Sequence, residues 1–116
     1  MTNQYPPAIQ HLANAILTTP GDADANLRHA VEARAAQLGG RSTTENRAEI
    51  PPELMRYIDK VALHAYKVTD ADIEALRQAG YSEDAILEIT LSAAIGAGLS
   101  RLERGLKALE GAFSCD

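Results

Sequence analysis

Three histidines, a single cysteine and a scatter of arginines are the residues of this 116-residue chain best suited to proton, metal or anion chemistry. Their spacing limits what they can do. A metal site needs at least three donors converging, usually with two of them a helical turn apart. His11, His29 and His64 fall on three separate segments, and Glu32, three residues after His29, has no second spaced pair to join it. No metal site is expected. No Gly-x-Ser-x-Gly elbow presents a serine nucleophile, and Cys115 stands in a segment of the kind that frays. Gly96, Gly98 and Gly105 lie inside a helical pattern, so they do not form a phosphate loop. One kind of chemistry remains: His64 could carry a proton near neutral pH. The plainer readings are a partly buried, hydrogen-bonded His64, solvated helix-surface charges at Arg101 and Arg104, and a Glu88 that is either a flank residue or a half-buried carboxylate.

The elements that must position these groups are helices. Alanine, leucine and isoleucine make up most of the 46% hydrophobic content, valine occurs three times, phenylalanine once and tryptophan not at all. That mix favours helix over strand, and the length suits one domain spanning 1–116. Proline and glycine divide the chain into five helical segments. The first runs from about Pro6 to Thr18, with Ile9, Leu12, Ala13, Ile16 and Leu17 on one stripe, and stops at Pro20-Gly21. A second covers Asp22 to Leu38 and ends at Gly39-Gly40. Residues 41–50 are polar and non-periodic, which reads as a mobile loop. Pro51-Pro52 opens a third helix reaching about Lys67. Thr69, with Asp72 three residues on, caps a short fourth that stops at Gly80, and Ser82 caps the fifth.

The fifth helix is the longest and is rich in alanine and glycine. Leu87, Leu91, Ile95, Leu99 or Gly98, Leu102, Leu106 and Leu109 make one seam at spacings of three and four. Ile86, Ile89, Ala93 and Ala97 make a second apolar face over the first half only. Such a pattern predicts a helix buried on two sides, with a second half that is amphipathic and solvated. Glycine costs about 1 kcal/mol against alanine inside a helix, so Gly96 and Gly98 require a reason. Either another helix of the same subunit packs closely there, or a second subunit does.

Charge excludes several classes. A formal charge of −5 does not suit phosphate neutralisation, so no nucleic-acid partner is expected. The most apolar stretch, Ile89 to Leu99, is about half of what a membrane span needs. Met1 to Pro7 has no basic start or apolar run resembling a secretory signal, and one cysteine fits a reducing compartment. A cytoplasmic protein is expected.

Val68-Thr69-Asp70-Ala71-Asp72-Ile73 and the run Ala75-Leu76-Arg77-Gln78-Ala79-Gly80-Tyr81-Ser82-Glu83-Asp84-Ala85-Ile86-Leu87-Glu88 resemble the C-terminal half of the alkylhydroperoxidase D-like (AhpD-like), or carboxymuconolactone decarboxylase, superfamily. In that superfamily a threonine-capped helix, an Ala-Leu-Arg-x-Ala-Gly stretch and a serine-led start lead into a long alanine-rich helix bearing an arginine, which Arg101 looks like here. The resemblance covers about residues 53–110. It implies an all-α, five-helix AhpD-like bundle and assembly into dimers, trimers or hexamers. Its redox members carry Cys-x-x-Cys, a histidine four residues on and an earlier glutamate. In the matching register His29 stands for the glutamate, Arg41 and Thr44 for the cysteines and Ala48 for the histidine. Peroxide reduction requires an attacking and a resolving thiol, and this chain has one cysteine.

Two functions follow. One is a homo-oligomeric binding or interaction module without turnover or cofactor, whose ligand would be a protein partner. The alternative is a non-redox enzyme like the decarboxylase branch, acting on a small organic acid with His29 or His64 as proton carrier and Arg41 or Arg101 on the carboxylate.

Overall fold

The computed structural model describes residues 6–40 and 50–113, and these are all-α, with no strand among them. Five helices follow in order: α1 (Pro7–Thr18), α2 (Ala25–Leu38), α3 (Pro52–His64), α4 (Asp70–Gln78) and α5 (Glu83–Phe113). Each boundary has a local cause. Pro7 and Pro52 take first-turn positions where an amide hydrogen would have no partner. Thr69 and Asp72 form a reciprocal capping box on α4. Gly80 follows α4 with φ +105°, a conformation that side chains with a Cβ rarely adopt. Ser82 Oγ accepts from Ala85 N–H to cap α5.

Two boundaries, and the burial of α1, differ from what the sequence suggests. α2 begins at Ala25, because Asp24 is its N-cap and accepts from Asn26 N–H, while 22–23 belong to the turn before it. The α-helical part of α3 ends at His64 and tightens into a 3₁₀ turn over Ala65–Lys67. α1 buries only Ala13 fully, and its Leu12 is exposed. The loop expected at 41–50 lies, apart from Ile50, outside the described residues, as do Arg41 and Cys115.

α5 is the spine of the bundle, and α2 is its main partner. Val31 and Ala35 of α2, Leu54, Tyr57 and Ile58 of α3, Leu76 of α4, and Ile86, Ile89, Ala93 and Ala97 of α5 form one buried core. Many of these side chains are small, so the helices must approach closely to exclude voids. Gly96 is where they do. A Cβ there would collide with the Glu32 carbonyl oxygen of α2. The glycine that looked costly to the helix is what lets α2 and α5 pack. Ser92 and Ser100, fully buried beside it, return their hydroxyls to the Glu88 and Ala97 carbonyls and leave no orphan donor.

Only one of the two apolar faces of α5 is buried within the chain. Ile86, Ile89, Ala93 and Ala97 are covered, whereas on the other face Leu87, Leu91 and Leu109 are 56%, 39% and 53% exposed and Ile95, Leu99, Leu102 and Leu106 are only half-buried. By length and hydropathy α5 is also the one described helix able to cross a membrane, over Glu83–Ala112. The apolar stretch is longer than Ile89–Leu99 alone suggests, because Glu88 is the single charge between Asp84 and Arg101. Nearly half of that apolar window, 44%, is buried in the chain's own core.

Candidate functional site

The residues singled out for chemistry are spread along the fold. His29 is exposed on α2. His64 ends α3 and is exposed, so it is not the partly buried histidine of the plainer reading; its ring stands edge-on to Tyr66, 6.0 Å between centroids. Lys67 lies over the same tyrosine ring at 5.8 Å. Arg101 leaves α5 for the end of α3, where Nη2 donates to the Ala62 carbonyl at 2.6 Å. Its fork is thereby partly occupied by a helix C-terminus. Among the described residues no three His, Cys, Asp or Glu side chains gather closely enough to hold a metal ion.

Arg28 and Glu88 are polar groups whose partners the sequence did not disclose. Arg28 is 3% exposed. Its Nη1 donates to Ile16 O at 2.7 Å in the last turn of α1, and its Nε to Ala23 O at 3.1 Å. Glu88 accepts from Asp22 N–H at 3.0 Å and Ala23 N–H at 2.6 Å, holding the same turn from the other side. Ser82 Oγ adds a bond to the Asp22 carboxylate at 2.8 Å. A Cβ at Gly21 would meet the Glu88 carboxylate, so a larger residue there would push that carboxylate from its place on the turn. The half-buried reading of Glu88 is thus the correct one, and its partners are backbone amides. Nothing in residues 86–90 signals a bond to a turn 65 positions earlier; only the Pro20-Gly21 break hints that something approaches there.

Ion pairs join the remaining elements. Arg34 and Asp59 meet in a two-pronged bridge between α2 and α3, 3.0 and 2.9 Å. That bond, chiefly, raises the Arg34 pKa against the opposing effect of burial. Lys60 reaches both Asp72 oxygens at 3.0 Å. The Thr69 backbone N–H, foremost, and then Lys60 hold the Asp72 carboxyl below its ordinary range. Burial, then the nearby Glu53 carboxylate, raises the Tyr81 phenol. Thr90 gives its hydroxyl proton to Ile86 O, so Tyr57 must be the donor in the 2.7 Å contact between the two hydroxyls.

What the fold leaves open is the outer face of α5. Leu87, Leu91, Ala94, Gly98, Arg101, Gly105 and Leu109, at spacings of three and four, are all exposed, opposite the face that meets α2. A Cβ at Gly98 or Gly105 would meet nothing within 4 Å. The two candidate interface glycines therefore separate: Gly96 packs inside the chain, and Gly98 lies on the open side.

The class these features define is an all-α protein built on one long helix with an apolar open face. No protein-family model, curated protein or solved structure matches the chain.

Proposed function

We propose that this protein is an AhpD-like helical homo-oligomer that has no peroxidase dithiol and serves as a non-redox binding or interaction module in the cytoplasm. The observation that carries this reading is the outer face of α5. Leucines exposed at both ends, with glycine and alanine and the single charge of Arg101 between them, form a largely apolar strip longer than scattered surface residues would make. Supporting it against the enzyme alternative, His29 and His64 are solvent-exposed on different helices and the Arg101 fork is engaged by Ala62 O. A small organic acid held by those groups would need them turned toward one pocket.

Native mass spectrometry of the freshly purified protein tests the reading. A multimer of the 12.4 kDa chain without a bound small molecule is expected. A monomer at micromolar concentration overturns it. A multimer with a stoichiometric organic-acid adduct lost in both His29→Ala and His64→Ala would transfer the case to the enzyme.

A further inference from the structure

The pattern along the open face of α5 specifies its own partner. Counting outward from Gly98, Leu87 and Leu109 are each eleven residues away, Leu91 and Gly105 each seven, and Ala94 and Leu102 each four. If two α5 helices lie antiparallel with Gly98 at the crossing, Leu87 meets the partner subunit's Leu109, Leu91 fills the space left by the partner's Gly105, and Ala94 lies opposite the partner's Leu102. Exposed Arg101 comes at the edge beside the partner's Ile95; Leu102 and Ile95 are each half-buried within their own chain. The two Gly98 positions meet where a Cβ on either would have nothing within 4 Å in its own chain. Large residues face small ones across the two-fold, and leucine faces leucine at the ends. An isologous interface demands this self-complementarity, because one patch must fit itself; an unrelated partner does not.

We infer that the open face of α5 is a two-fold, antiparallel α5–α5 interface between copies of this chain, centred on Gly98. The inference rests on the self-association proposed above and adds its geometry. Charge agrees with it. The half of α5 before Gly98 carries Glu83, Asp84 and Glu88 and no base, Glu88 being turned to the 22–23 turn and Glu83 paired with Arg77. The half after it carries Arg101, Arg104 and Lys107 against Glu103 and Glu110, with Arg101 and Arg104 also reaching carbonyls of their own chain. Antiparallel pairing sets the acidic half beside the net-basic half and opposes the helix dipoles; parallel pairing stacks like on like. The run from Leu87 to Leu109 gives the antiparallel pair about 33 Å of helix along which to meet.

Cysteine cross-linking in a Cys115→Ser background tests the arrangement, with the oligomer mass of each variant measured in parallel. Under mild oxidation Gly98→Cys is expected to convert most of the chain to a covalent dimer, since a central two-fold contact brings the Cα atoms within disulfide reach. Leu87→Cys alone and Leu109→Cys alone are expected to stay uncoupled, while their equimolar mixture couples. Efficient self-coupling of Leu87→Cys, or a multimeric Gly98→Cys that does not couple, overturns the antiparallel geometry and leaves self-association standing. A parent protein that is monomeric overturns both.

Discussion

At the residue scale the polar groups of this protein mostly serve the backbone. Glu88 is the clearest case: its carboxylate accepts from two consecutive amides of the turn before α2. Bonds from a charged group to backbone amides are stronger than neutral ones, and removing the acceptor strands both donors. Glu88→Ala is expected to cost about 2 kcal/mol in urea unfolding, with Glu88→Gln recovering part of it, since an amide oxygen still accepts. Asp72 supplies a pH signature. Its folded pKa is depressed, so its contribution is complete above the unfolded value and is lost as pH falls through the lower folded one. The Thr69 amide, followed by NMR, is expected to titrate with a midpoint below the ordinary carboxylate value of about 4, and Asp72→Asn to abolish that step. The Arg34–Asp59 bridge is about a third exposed, so Asp59→Asn should shift stability by no more than about 1 kcal/mol.

At the scale of elements, arginines of one helix complete the ends of others. Neither α1 nor α2 has a basic residue in its last turn. Arg28 of α2 donates to the end of α1, Arg104 of α5 contacts Gly40 O just past α2 at 3.4 Å, and Arg101 of α5 donates to the end of α3. Each places a cation where exposed carbonyls carry partial negative charge. Helix positions were legible because Pro20-Gly21, Gly39-Gly40, Pro51-Pro52 and Gly80 interrupt the periodicity chemically. Which face of α5 is buried was not. Both faces read as apolar, and only the close approach of Glu32 to Gly96 decides that α2 lies on the alanine side. The partners of Arg28 and Glu88 were equally hidden, since long-range bonds to backbone leave no mark in side-chain spacing. The same contact yields a prediction: Gly96→Leu must separate α2 from α5 and is expected to lower stability by about 3 kcal/mol or prevent folding, whereas Gly98→Leu leaves the fold of the single chain intact and weakens self-association. Circular dichroism with sedimentation separates the two effects.

Across the whole molecule the described core has one architecture, a long helix dressed by four shorter ones, with one side left uncovered. A chain of 116 residues with so many alanines buried has little apolar area to spare, and leaving Leu87, Leu91 and Leu109 in water would forgo part of it. Thermal stability should therefore rise with protein concentration, by several degrees over a hundredfold range, as mass action requires of a folded oligomer. A concentration-independent midpoint would contradict the coupling of assembly to stability.

The bond from Glu88 to the turn at 22–23 spans 65 and 66 positions, and α2 finds its principal partner only in the last helix. On the ribosome the order is consequential. The segment before α5 emerges with α2 lacking the surface it packs on and the buried Arg28 turn lacking its carboxylate clamp. Only when α5 is released can the core close, so until then the nascent chain remains open to chaperones and proteases.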